Sequence, residues 1–167
     1  MVIIGSMKKI LLLFSCFVLL AIGTLNSNAF FDLCARFSNA KLSLYCENAQ
    51  DVGKIFEKIK ELEILETKAG VIISVPAKDC REVVGGLENI NGFSLKIEND
   101  FENVQNLIDN IKILKRETNG GNEIYYGFMA NLVNFCFIDG KKINLQIAIN
   151  HAQNLTIIGS PLILGSY

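Results

Sequence analysis

His151 is the only histidine in the chain, so any imidazole-based chemistry must use it. Cys136 is its partner by residue type. An imidazole within hydrogen-bond reach of a thiol takes its proton and leaves a nucleophile, and such a pair would make a small hydrolase. The competing reading is an exposed turn histidine, because His151 stands beside Asn150 and Gln153. Glu57, Glu61, Glu63 and Glu66 are the second store of reactive groups. General acid–base work needs two carboxylates in one cleft with different environments. Glu57 and Glu61 would share a helix face, but Lys58 and Lys60 interleave with them as on a solvated surface. The third group is an amide row. Asn144, Gln146 and Asn150 alternate with Ile143, Leu145, Ile147 and Ile149. Amides can pair with a peptide or a glycan without burying a charge, and Tyr126, with Tyr125, would rim such a face. The same row also fits the wetted side of a two-faced sheet.

Several chemistries lack their residues. One histidine and no calcium-loop pattern leave no metal set. Gly85-Gly86 and Gly120-Gly121 do not match phosphate-binding glycine patterns, and no cofactor is expected. Asn154-Leu155-Thr156 matches a glycosylation acceptor, but so short a match is a weak signal. The chain balances 16 basic against 17 acidic residues and has no basic block, so neither nucleic acid nor anionic lipid is an expected electrostatic partner.

The apolar share is 50% against 20% charged, and much of it is concentrated early. Met7-Lys8-Lys9 precedes the apolar run Ile10–Ile22, and Ser27-Asn28-Ala29 supplies small residues for a signal peptidase. The expectation is a signal peptide over 1–29, cleaved after Ala29, with residues 1–6 preceding the true start. An uncleaved membrane anchor and lipid attachment at Cys16 are the alternatives. Residues 30–167 then form a single secreted or extracytoplasmic domain, with membrane contact only through an uncleaved N-terminal segment. Cys34, Cys46, Cys80 and Cys136 remain in it, allowing two disulfides in three connectivities. The short spacing favours Cys34–Cys46, which leaves Cys80–Cys136. Burial as small apolar residues is the other reading. No Cys-x-x-Cys pair is present.

The elements that would position these groups follow from periodicity. Lys41–Cys46 is a short strand or a helix end. A helix is predicted from Asn48, with Val52, Ile55, Phe56, Ile59 and Leu62 on one side and Gly70 ending the unit. Val71–Val75 reads as a strand stopped by Pro76. A helix over 77–89 is weakened by Gly85-Gly86. Asn91-Gly92 marks a turn before the strand Phe93–Ile97. Asp100 caps a helix with the stripe Phe101, Val104, Leu107, Ile108, Ile111 and Leu114. After Asn119-Gly120-Gly121 the chain reads as an antiparallel meander, with Asp139-Gly140 as a hairpin turn and a further turn at Asn150–Asn154. Segments 50–75 and 101–128 both run helix then strand, which we read as ordinary recurrence rather than duplication.

Tyr125-Tyr126-Gly127, Asp139–Ile149, Gly159–Ile163 and the final Tyr167 resemble the YwmB-like proteins, small exported proteins of Gram-positive bacteria. The likeness extends over residues 48–167. It implies an α+β fold similar to the TATA-box-binding-protein domain: a curved antiparallel sheet with helices packed on one face. It brings no catalytic residues and does not imply DNA binding. The leading functional expectation is a non-enzymatic binding or accessory domain of the bacterial cell envelope. Its partner would be an unknown peptide, glycan or envelope protein. A small envelope hydrolase using Cys136 or a carboxylate, and a structural or assembly partner, are the alternatives.

Overall fold

Lys41–Cys46 alternates Leu42, Leu44 and Cys46 with Lys41, Ser43 and Tyr45. In a strand that period sends one set to a core and the other outward. The computed structural model describes residues 28–47, 59, 61–68, 70–87 and 90–163. In it this segment is strand β1, with all three apolar side chains buried. Residues 28–36 precede it as a helix, α1. The sheet continues with β2 (Glu63–Thr67) and β3 (Gly70–Pro76). A 3₁₀ turn, Ala77–Asp79, leads into α2 (Cys80–Val84). The helix stops where Gly85-Gly86 begins, as its poor helix propensity predicts. Next come β4 (Ile90–Glu98), α3 (Phe101–Asp109), β5 (Lys112–Asn119) and β6 (Asn122–Phe128). The small hairpin β7 (Cys136–Ile138) and β8 (Lys141–Ile143) precedes β9 (Leu145–Asn150) and β10 (Leu155–Ser160).

Eight strands form one open, curved sheet in the order β2-β3-β1-β4-β10-β9-β6-β5. Every pairing in it is antiparallel. Leu95 on β4 lies opposite Ile158 on β10, both fully buried, and this seam joins the two halves of the sheet. The halves are wired differently. In the first, β1 lies between β3 and β4. In the second, β5, β6, β9 and β10 follow one another as a meander interrupted by the β7–β8 hairpin. The recurrence of helix then strand therefore does not reflect one repeated topology.

Register decides the faces. Leu42, Leu44, Phe93, Leu95, Ile158, Ile147 and Tyr125 stand on one side. They share a hydrophobic cluster with Leu33 and Phe37 beside β1, Val83 of α2, and Val104 and Leu107 of α3. The described helices thus cover that one side. On the other side hydroxyls pair: Ser43 with Ser74 at 2.9 Å and Tyr45 with Ser94 at 2.9 Å. After Ser160 the chain turns across this second side. A side chain at Gly159 would fall 2.7 Å from Ile163.

Four readings from the sequence need correction. Glu63–Thr67 is an edge strand, not helix; the β-branched and hydrophobic residues of β3 offer it a pairing edge that outweighs its helical propensity. The turn expected at Asn91-Gly92 is continuous strand, and Gly92 is needed because a Cβ there would meet the Ser160 carbonyl at 2.6 Å. The third helix ends at Asp109, so Ile111 and Leu114 leave its stripe. Asn110 turns its amide back onto the Asn106 carbonyl at 2.7 Å, and β5 begins at Lys112. Ala148 and Gln146 on β9 are buried, so neither side of that strand is wetted. By contrast, Gly120 and Gly121, at φ 58° and 82°, make the two-residue β5–β6 turn, and Asp139 and Gly140, at 50° and 72°, make the β7–β8 turn. The helix predicted from Asn48 and the signal segment through Ser27 lie outside the described residues. Ala29 itself is buried in α1 at 6% exposure.

Candidate functional site

The amide row has a structural use. Asn144 sits in the break between β8 and β9 and is fully buried. Its Oδ1 accepts from the Met129 N–H at 2.8 Å. Its Nδ2 donates to the carbonyls of Met129 at 2.8 Å and Leu132 at 3.1 Å. One side chain therefore stands in for three backbone partners of the 129–132 loop. Gln146, on the second face, accepts from the Ile163 N–H at 2.9 Å and is 3% exposed. Asn150 accepts from Gln153 N–H at 3.0 Å and closes the β9–β10 turn. Tyr126 lies opposite Gln146, and its hydroxyl donates to Glu117 at 2.6 Å. Gln146, Asn150 and Tyr126 share a face. Asn144 stands outside the strand register.

The other expected groups are separated. Cys136 pairs with Ile143 in the small hairpin, whereas His151 follows the opposite end of β9. The six extended residues between them span on the order of 20 Å, so no nucleophilic pair forms. His151 instead stacks beside Phe101, with ring centroids 5.5 Å apart, and lies 3.8 Å from Glu123. Glu63 and Glu66 stand on opposite faces because they are an odd number of positions apart in a strand. Lys41 takes Glu63 as its ion-pair partner. Glu57 lies outside the described residues. Among the described residues no group of three or more metal-ligating side chains occurs.

Glu123 is held from two sides: Tyr125 donates at 2.8 Å and Arg116 at 3.1 Å. The Tyr125 hydroxyl, then Arg116 and His151, hold its carboxyl below the ordinary carboxylate range. A depressed folded value means that its stabilisation is present above the unfolded value and is lost as pH falls through the folded one. Tyr125→Phe removes the largest cause. The Glu123 carboxyl is expected to titrate at higher pH in that variant, as followed by carbon-detected NMR, while Arg116 keeps its ring contact at 4.9 Å. An unchanged titration would remove Tyr125 from this role.

The loop that Asn144 holds builds a different kind of site. Asn134 donates to the Asn91 carbonyl at 2.8 Å, which ties the far end of the loop to β4. Between these two anchors Leu132 turns inward and Val133 outward, the latter 61% exposed. Beneath them is a cleft of about 160 Å³, floored by Leu44 and Phe93 and walled by Phe30 of α1, Val84 of α2 and Ile90. None of its lining residues ionises, and its polar members, Asn134 and Ser160, are bonded or buried. Beyond Val133 come Phe135 and Phe137, 47% and 67% exposed, packed edge to face at 5.7 Å. Lys142 lies 3.9 Å from the Phe135 centroid. A larger basin of about 600 Å³ lies at the other end of β4. Its charges do not converge: Arg36 donates to Asn106, Lys41 pairs with Glu63, and Lys96 lies 3.9 Å from Glu98.

Leu132, Val133 and Asn134 carry no chemical motif, and sequence reasoning passed over them. Their one signal is an apolar pair between asparagines in a stretch that neither strand pattern absorbs. The chain matches no protein-family profile, no curated protein and no solved structure.

Proposed function

We propose that the protein is a non-enzymatic binding or accessory domain of the bacterial cell envelope, working outside the cytoplasm. In this reading the cleft beneath Val133 takes an apolar portion of a peptide, glycan-bearing or protein partner. The carrying observation is an apolar cleft with an exposed valine lip and no ionisable lining residue. Such a surface favours apolar contact, and its lining holds no ionisable side chain to act as a general acid or base. Phe135 and Phe137 extend the apolar surface, and Lys142 over Phe135 supplies a cation at its edge. The YwmB-like resemblance and a TATA-box-binding-protein-like sheet belong to the same reading. No described helix is long and apolar enough to cross a membrane. The location rests instead on the basic-then-apolar N-terminal sequence.

The purified protein is expected to leave cell-wall polymer intact on prolonged incubation, measured by release of soluble fragments. Reproducible turnover abolished by one point mutation would overturn the non-enzymatic reading.

A further inference from the structure

The four cysteines of residues 30–167 are free thiols, and Cys34, Cys46 and Cys80 are buried. The spacing that favours Cys34–Cys46 fails for a geometric reason. Phe30 packs on Phe93 at 4.9 Å, and Phe93 stands opposite Leu44. The first turn of α1 therefore lies level with Leu44. From there α1 carries Cys34 toward Leu42, while β1 carries Cys46 the other way. Helical and strand rises put them on the order of 12 Å apart along the strand. A disulfide requires Cα atoms within about 7 Å. Cys136 sits beside β6 in the second half of the sheet. Cys80 sits over the first half, four strands removed from β6, a span on the order of 20 Å.

Cys34 and Cys80 do meet. Arg81 of α2 lies over the Phe31 ring of α1 at 4.8 Å, and just outside the two helices the Ala77 N–H donates to the Ala40 carbonyl at 2.8 Å, so the segments that carry the two thiols are packed together. Within that contact both side chains are buried in one hydrophobic cluster, and each thiol bears on the other's titration. The geometry points to Cys34–Cys80 as the disulfide of this fold, a redox-formed clamp between α1 and α2. The bond forms by exchange with a small disulfide such as oxidised glutathione. The Cys80 thiolate attacks one glutathione sulfur and expels a glutathione thiolate. Cys34, deprotonated, then attacks the Cys80 sulfur of the mixed disulfide and expels the second. Two protein thiols are oxidised, and one glutathione disulfide is reduced to two thiols. Burial raises both thiols, Cys34 the further; at Cys80 the neighbouring Cys34 and Arg81 offset part of that rise, so Cys80 is the more readily deprotonated of the two and is the attacking sulfur. The clamp closes a loop containing β1, β2 and β3. Its pairing is a property of the fold and does not depend on the compartment assigned above.

The test uses the full chain with Cys16→Ser, which leaves Cys34 alone on its tryptic peptide; Arg36, Lys41, Lys78 and Arg81 separate the others. The reduced protein is equilibrated with oxidised and reduced glutathione in mild urea, free thiols are alkylated, and the digest is weighed by mass spectrometry. The expected product is the Asp79–Arg81 peptide joined to the peptide ending at Arg36 in most molecules. A dominant Cys34–Cys46 or Cys80–Cys136 link, or full alkylation of Cys34 and Cys80, overturns the proposal. A Cys46→Ser/Cys136→Ser variant in the same background should still lose two hydrogens. Its oxidised form should melt on the order of 10 °C above its reduced form. Equal melting temperatures would also overturn the clamp.

Discussion

Asn144→Ala is expected to lower the free energy of unfolding by roughly 3–5 kcal/mol. The substitution removes an acceptor from the Met129 N–H and two donors from the Met129 and Leu132 carbonyls. An unpaired buried polar group costs about 1–3 kcal/mol, and the alanine methyl leaves part of the amide volume empty. Asn144→Asp does no better. It keeps the acceptor but loses both donations and places a carboxylate in a fully buried position. Denaturant unfolding checks this through a lower midpoint at an unchanged slope. The effect reaches the cleft, because the same loop carries Leu132 and Val133 over it. A loss below about 1 kcal/mol would show that the loop holds itself without the amide.

The sheet was largely legible because its strands alternate. Leu42, Leu44, Phe93, Leu95 and Ile147 all face the core that their spacing assigns them. The Asp139-Gly140 hairpin was legible from residue type, since it adopts the positive φ angles that a tight hairpin requires, whereas Gly120-Gly121 was legible only as a loop, not as a hairpin turn. Failures occur where tertiary pairing overrides local preference. Glu63–Thr67 is recruited as an edge by β3. Lys112–Asn119 becomes a strand because Gly120-Gly121 folds it onto β6. The site was less legible than the fold. Asn144 stood out as an amide, but only the break between β8 and β9 turns it inward to the 129–132 loop. No periodicity reports a break. The cysteines show the same limit, since chain spacing paired Cys34 with Cys46 while the packing of Arg81 over Phe31 turns Cys80 toward the helix that carries Cys34.

Val133→Asp is the second large effect, and it falls on binding rather than folding. Val133 is 61% exposed, so its replacement is expected to change stability by no more than about 0.5 kcal/mol. A partner group entering the cleft must instead desolvate a carboxylate at the lip. Affinity is expected to fall by about tenfold or more, a difference of about 1.4 kcal/mol. Folded variants with equal melting temperatures therefore separate the site from the scaffold.

The most direct test places a photo-crosslinking p-benzoylphenylalanine at position 133 of the full chain. The protein is irradiated with a bacterial cell-envelope fraction. The same group at Thr118, exposed on β5 in the other half of the sheet, serves as the control. The cleft reading predicts a discrete adduct from position 133 and none from 118, suppressed by excess unlabelled protein but not by excess Val133→Asp. Equal labelling from both positions, or equal competition by Val133→Asp, would contradict it.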